Sequence, residues 1–166
     1  MKVLVTYYSE SGNTERLARA IYDGVERADK EFVPIQEGPS VEDYDVIFCG
    51  FPVQASSVPP KVEPFLKGIS EGKMLAIFAT HGSLRGGQLA VTAFHYAMSL
   101  APKAKVIGSF SCRGKVKSKL IETLMKKPEH RGWAIEAQSA AGHPDDADLE
   151  DGKEFAKWMI TKARSL

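Results

Sequence analysis

The chain lacks a marked charge of either sign. Its 22 Lys and Arg stand against 21 Asp and Glu, for a formal net charge of +1. That balance argues against a nucleic-acid polyanion as partner. Cysteine is scarce: Cys49 and Cys112 are the only two. Two unclustered thiols suggest neither a disulfide framework nor a metal site, and they fit a reducing cytoplasm. His130 and His143 are far apart and without ligating company, and His95 lies in an apolar helix-like stretch, so no metal is expected. No apolar run approaches membrane-spanning length, and the N-terminal run is too short for a signal peptide. Repeats, low-complexity tracts and linkers are also missing. A single domain over residues 1–166 is expected, long enough for a full core.

Two nucleotide-binding signatures are absent as well. There is no Gly-x-x-x-x-Gly-Lys-Ser/Thr and no Gly-x-Gly-x-x-Gly. What stands instead is Ser9-Glu10-Ser11-Gly12-Asn13-Thr14. It follows the apolar run Val3-Leu4-Val5-Thr6-Tyr7, which reads as a buried strand, and precedes a helix from about Thr14 to Arg27. Amides at a helix start have no intrahelical partner, and the helix dipole favours an anion there. Ser9, Ser11 and Thr14 add hydroxyls, and Gly12 permits close approach and a left-handed turn. Asn13 tolerates the left-handed region too. The competing reading is a plain capped helix, with Asn13 or Thr14 as cap.

The rest of the chain alternates. Strands are expected at Phe32–Ile35, with Pro34 marking an edge, at Val46–Cys49, at Met74–Ala79 and at Val106–Phe110. Helices are expected from Pro59-Pro60 through Ile69, over Gln88–Leu100, over Val116–Lys126, and from Asp145 or Asp146 onward, the last presenting Phe155, Trp158 and Met159 to the core. Residues 127–144 are not readable beyond a helical piece at Trp133–Ala137. Continuous apolar strands alternating with helices indicate an α/β fold: a three-layer, doubly wound sandwich on a five-stranded parallel sheet, with strand order 2-1-3-4-5. In that order a ligand sits at the carboxyl ends of strands one and three.

The stretch from Ser9 to Thr14 resembles the phosphate-binding loop of the flavodoxin family, written Thr/Ser-x-Thr-Gly-Asn-Thr, with Ser11 at one hydroxyl position. The resemblance implies flavin mononucleotide (FMN), its phosphate in this loop. Gly50-Phe51-Pro52-Val53-Gln54-Ala55, followed by Pro59-Pro60, resembles the family's second flavin loop, with Gln54 where a stacking aromatic is frequent. Phe51 could stack instead. Many members have a glycine here whose peptide flips toward the reduced flavin. This loop has none after Gly50, and a positive φ costs more in a residue with a side chain. The third loop, Thr80-His81-Gly82-Ser83-Leu84-Arg85-Gly86-Gly87, would cover the pyrimidine side of the ring. Arg85 there would stabilise an anionic reduced flavin and raise its potential. His81 either touches the flavin or packs. The cofactor-binding candidates are therefore Ser9 to Thr14, Phe51 to Ala55, and Thr80, His81, Gly82, Ser83, Arg85, Gly86 and Gly87, with no catalytic acid or base.

Cys112, beside Arg113 and Lys115, reads either as a thiol activated by cations or as a plain thiol at a strand end. The expected function is electron transfer between redox protein partners, a reductase and an acceptor, by a cytoplasmic monomer or weak homodimer with no membrane contact. The alternative is an NAD(P)H-dependent FMN or quinone reductase of the same fold. A phosphorylated receiver fails, because strand three ends Cys49-Gly50-Phe51 without an aspartate. The near-neutral charge departs from the family's usual acidity, so docking to basic partners does not carry over.

Overall fold

The computed structural model describes residues 1–166. Five strands form one parallel sheet: β1 (Lys2–Tyr7), β2 (Asp29–Pro34), β3 (Val46–Pro52), β4 (Met74–His81) and β5 (Lys105–Arg113), in the order β2-β1-β3-β4-β5. Six helices accompany them: α1 (Asn13–Gly24), α2 (Glu63–Lys67), α3 (Gln88–Leu100), α4 (Ser118–Met125), α5 (Pro128–Gln138) and α6 (Asp146–Arg164). No helix is long and apolar enough to cross a membrane.

Side chains alternate across each strand, so each strand feeds two cores. Leu4, Ile47, Cys49, Leu75 and Ile77 meet Val62, Leu66, Ala93 and Ala97 on the face carrying α2 and α3. Val3, Val5, Phe48, Ala76 and Phe78 meet Leu17, Ile21, Phe155 and Met159 on the face carrying α1 and α6. Fully burying a side chain such as Phe48 contributes roughly 2–3 kcal/mol, before the entropy of ordering it is set against that. A third, small core of Ile121, Ala134 and Ala137 lies within the α4–α5 hairpin itself.

Several boundaries differ from the sequence reading: β2 spans Asp29–Pro34 rather than Phe32–Ile35, α1 ends at Gly24 rather than Arg27, and three strands run further at the carboxyl end of the sheet. β3 runs on through Phe51 and Pro52, β4 through Thr80 and His81, and β5 through Cys112 and Arg113. Pairing with the neighbouring strand keeps these residues extended, although Pro52, Thr80, His81 and Arg113 break the apolar pattern that marks a strand in sequence. Pro34 does lie on the edge strand. Residues 128–138 form a full helix rather than a fragment. The helix after Pro59-Pro60 is only five residues long, although Val62, Leu66 and Ile69 are buried as the pattern predicts. Trp158 is a correction: it is 68% exposed. The buried stripe of α6 is centred on Gly152, Phe155, Ala156, Met159, Ile160 and Ala163, and Trp158 projects from the opposite side.

Candidate functional site

The loops after β1, β3 and β4 leave the same edge of the sheet, and the register brings them together. Tyr7 pairs with Gly50, and Pro52 with Thr80. Tyr8 donates its amide to Gly50 O at 2.9 Å, and Val53 donates to Thr80 O at 2.9 Å. Thr14 Oγ1 and Thr80 Oγ1, both buried, lie 2.8 Å apart and tie the first loop to the third. Glu10 ties the first loop to the second: its Oε1 accepts from Tyr8 OH at 2.9 Å and from Gln54 Nε2 at 3.0 Å. Those two bonds, helped by the nearby Lys117 and Lys61, hold the Glu10 carboxyl below the usual carboxylate range.

Gly12 sits at φ 90° as the N-cap of α1 and makes no side-chain cap. Its own amide donates to Ser9 Oγ at 3.1 Å. The first intrahelical bond is Arg16 N to Gly12 O, which leaves the amides of Asn13, Thr14 and Glu15 without a protein acceptor. A Cβ on Gly12 would meet nothing within 4 Å. Three unpartnered amides at a helix start, an exposed Ser11 hydroxyl and open space over Gly12 fit a phosphate monoester. A plain capped helix would have used a side chain there, and neither Asn13 nor Thr14 caps. Asn13 Nδ2 instead donates to Lys115 O at 2.9 Å, across to the chain after β5.

The second loop contains a feature that its lack of glycine argued against. Ala55 and Ser56 have φ of 48° and 63°. Gln54 and Ser57 exchange both backbone hydrogen bonds, at 3.1 and 2.8 Å, so the tip is a two-residue hairpin turn. Positive φ at both centres is the type I′ pattern, usually filled by Asn-Gly. Phe51 does not stack over the site. It is fully buried and meets Phe94 edge-on at 6.4 Å, because its place in β3 sends it into the core.

The third loop is bound up with the rest of the protein. His81 is buried, and its Nε2 lies 3.1 Å from Ser111 Oγ, while Nδ1 has no partner. Burial pushes its imidazole below the usual histidine range. Ser83 is buried, and its Oγ accepts from Trp133 Nε1 at 3.0 Å. Leu84 N donates to Glu136 Oε1 at 2.6 Å. Arg113 donates to Ser83 O, Gly82 O, Glu136 O, Ser139 O and Ser139 Oγ. Arg85 is the second correction. Its guanidinium pairs with Asp148 at 2.9 Å and Asp151 at 2.8 Å, and it lies over the Phe110 ring. A cation so neutralised by α6 does not supply the free positive charge expected at a flavin edge. Gly86 and Gly87 lead into α3, with Gly86 at φ 72°.

Residues that sequence reasoning missed are Tyr8, Arg113, Trp133 and Glu136. Their roles rest on contacts 23 or more positions apart in the chain for all but Tyr8, and no local signal marks them. His143 is also not without carboxylates. It lies within 4.8 Å of Asp145 and Asp148, brought there by the capping box that opens α6. Burial would raise Asp148, but His143, the Asp145 amide and Arg85 outweigh it and hold the carboxyl low. Cys112 is fully buried, as a plain strand-end thiol would be, and burial pushes its thiol up to about 12.

A family model described as a flavodoxin domain matches residues 4–157. A flavodoxin-like domain-containing protein, BilS of Clostridioides difficile, is 31% identical over 175 aligned positions, covering 98% of both chains. Among solved structures, a flavodoxin from the domain Archaea aligns with TM-score 0.66 at 18% identity, covering 99% of each chain. A flavoprotein from Lactobacillus acidophilus, solved in complex with FMN, aligns with TM-score 0.54 at 21% identity, covering 66% of this chain and 92% of that one.

Proposed function

The chain belongs to the flavodoxin domain family, whose cofactor is FMN, and from that premise we propose that it is an electron carrier between redox proteins. The observation that carries the reading is the first turn of α1, with its three unpartnered amides beside Gly12, set where the loops after β3 and β4 converge. The amides of Asn13, Thr14 and Glu15 and the hydroxyl of Ser11 would hold the phosphate, with the helix dipole offsetting its charge in place of a lysine. Ser9 and Thr14 shape the loop through Gly12 and Thr80. The second loop, Val53 to Ser57, would form one wall for the ring, and Thr80 to Ser83 the other. When bound, the flavin supplies the one- and two-electron chemistry, and the protein supplies binding, orientation and electrostatics.

The test is the visible spectrum of the purified protein with FMN, before and after anaerobic addition of NADPH and then NADH. We expect flavin bands that nicotinamide leaves unchanged. Rapid bleaching by either nicotinamide would replace the carrier reading with a reductase. Colourless protein that takes up no added FMN would remove the cofactor itself.

A further inference from the structure

Charge is not spread evenly over this nearly neutral chain. Residues 114–131 contain Lys115, Lys117, Lys119, Lys126, Lys127 and Arg131 against Glu122 and Glu129 only. Of the 22 cations and 21 acids in the chain, the remaining residues therefore keep sixteen and nineteen. The protein is an acidic body with a basic hairpin. All six cations are exposed, and none forms an ion pair. Lys2, Lys67, Lys153 and Lys157, by contrast, each pair with a glutamate. Cations left unpaired on one supersecondary unit make a local positive potential that the overall charge hides.

The hairpin stands at the rim of the candidate site. Its first residues are wedged between two of the site loops. Asn13 bonds Lys115 O, and a Cβ on Gly114 would come within 2.9 Å of Asn13 Nδ2. On the other side, a Cβ on Gly82 would come within 2.5 Å of Val116. Lys117 lies close enough to Glu10 to act on its carboxyl. Beside the cations stand exposed apolar side chains. Leu84 is 57% exposed and Ile135 55%, and the two are neighbours across the bond from Leu84 N to Glu136. Exposed apolar side chains on the same unit as unpaired cations supply both kinds of contact that a protein docking face uses.

We propose that the α4–α5 hairpin, with Leu84 of the third loop, is the docking face for a redox partner protein whose own electron-exchange face is acidic. The inference rests on the electron-carrier reading, and it inverts the acidic-carrier arrangement usual for this fold. Opposite charge steers the encounter and sets which face meets the partner, and Leu84 and Ile135 provide the short-range contact. The rest of the chain, at a net charge of −3, adds no attraction for such a partner.

The test uses FMN-loaded protein, reduced anaerobically and mixed in a stopped-flow instrument with two haem-protein probes, acidic cytochrome b5 and basic cytochrome c. We expect the rate with cytochrome b5 to fall at least about tenfold between roughly 10 and 300 mM salt, as screening removes the attraction. The rate with cytochrome c should hold or rise. The variant K119E/K126E/K127E/R131E, whose positions touch none of the site loops, should lower the low-salt rate with cytochrome b5 by about tenfold or more and raise that with cytochrome c. Should circular dichroism show that variant misfolded, K126A/K127A serves, with a smaller shift in the same direction. NMR line broadening with oxidised cytochrome b5 reads association without electron flow. Broadening centred on residues 114–136 with no electron transfer would keep the docking face and sink the carrier reading. A cytochrome b5 rate indifferent to salt and to the reversed charges would overturn the docking face, as would broadening elsewhere. So would tighter association with anionic lipid vesicles or an oligonucleotide than with cytochrome b5.

Discussion

The loop after β1 and the loop after β4 touch through Thr14 and Thr80, yet they are held in opposite ways. The first reaches outward with its own side chains, Glu10 to Gln54 and Asn13 to Lys115 O, and leaves the amides of Asn13, Thr14 and Glu15 unpaired. The second is gripped by side chains from elsewhere in the chain: Ser83 by Trp133, Leu84 N by Glu136, two carbonyls by Arg113, and Arg85 by two aspartates of α6. Unsatisfied donors are costly when buried and useful when a ligand can meet them. The first loop keeps donors free that an anion could meet, and the second is fixed in place. The α4–α5 hairpin, with its own small core, is the buttress of the second.

Breaking the buttress should have the largest effect. Arg113→Met removes five donor contacts and leaves four backbone carbonyls without them, so we expect a loss of about 3 kcal/mol in urea unfolding. FMN should weaken in the same variant while inorganic phosphate binding to the first loop holds. Equal loss of both would mean that the two loops are one unit. Gly12→Ala attacks the other loop. A Cβ there meets no atom, so only the left-handed backbone is strained, at roughly 1–2 kcal/mol, and phosphate affinity should fall about tenfold.

Next in size is a pH effect from His81. Burial depresses its folded value below the ordinary 6.5, so the unfolded chain takes up a proton that the folded one refuses. Stability is then full above about 6.5 and declines as pH falls below it. Thermal unfolding between pH 7 and 5 should show that slope, and His81→Gln should flatten it. The smallest effect is expected at Arg85, which is half exposed. Its replacement by alanine should cost about 0.5–1 kcal/mol of stability and leave the flavin's midpoint potential where it was. A clear drop in potential would restore to Arg85 the electrostatic role that its ion pairs deny it.

The pattern of the first loop is legible in the sequence because its signal is local: a strand, a glycine, three hydroxyls and a helix start lie within a dozen residues, whereas its ties to Gln54, Thr80 and Lys115 are not. The sheet order followed for the same reason, since five apolar runs separated by helical periods allow few other arrangements. The buttress could not be read. Arg113 and Trp133 look like any strand-end arginine and helix tryptophan until the chain folds, and Arg85 looks free until α6 arrives 63 residues later. Trp158 misled for a related reason: spacing of three from Phe155 permits a shared face, but the stripe drifted the other way around the helix. Phe51 reads as a ring open to a ligand only while the third strand is taken to end at Cys49; β3 runs on to Pro52 and turns the ring into the core.

The turn at Ala55-Ser56 has a further consequence. Two residues with side chains in the left-handed region cost the fold roughly 1–2 kcal/mol each, and that cost is met when the chain folds. Both backbone bonds between Gln54 and Ser57 are already closed. A flat molecule entering between the loops therefore meets a wall whose conformational freedom is already gone. Little ordering is left to oppose its capture, and little relaxation is available to hasten its escape. We expect this turn to act on residence time more than on speed of entry. Asn-Gly at the same two positions would relieve the strain, and glycine would return some of that freedom to the wall.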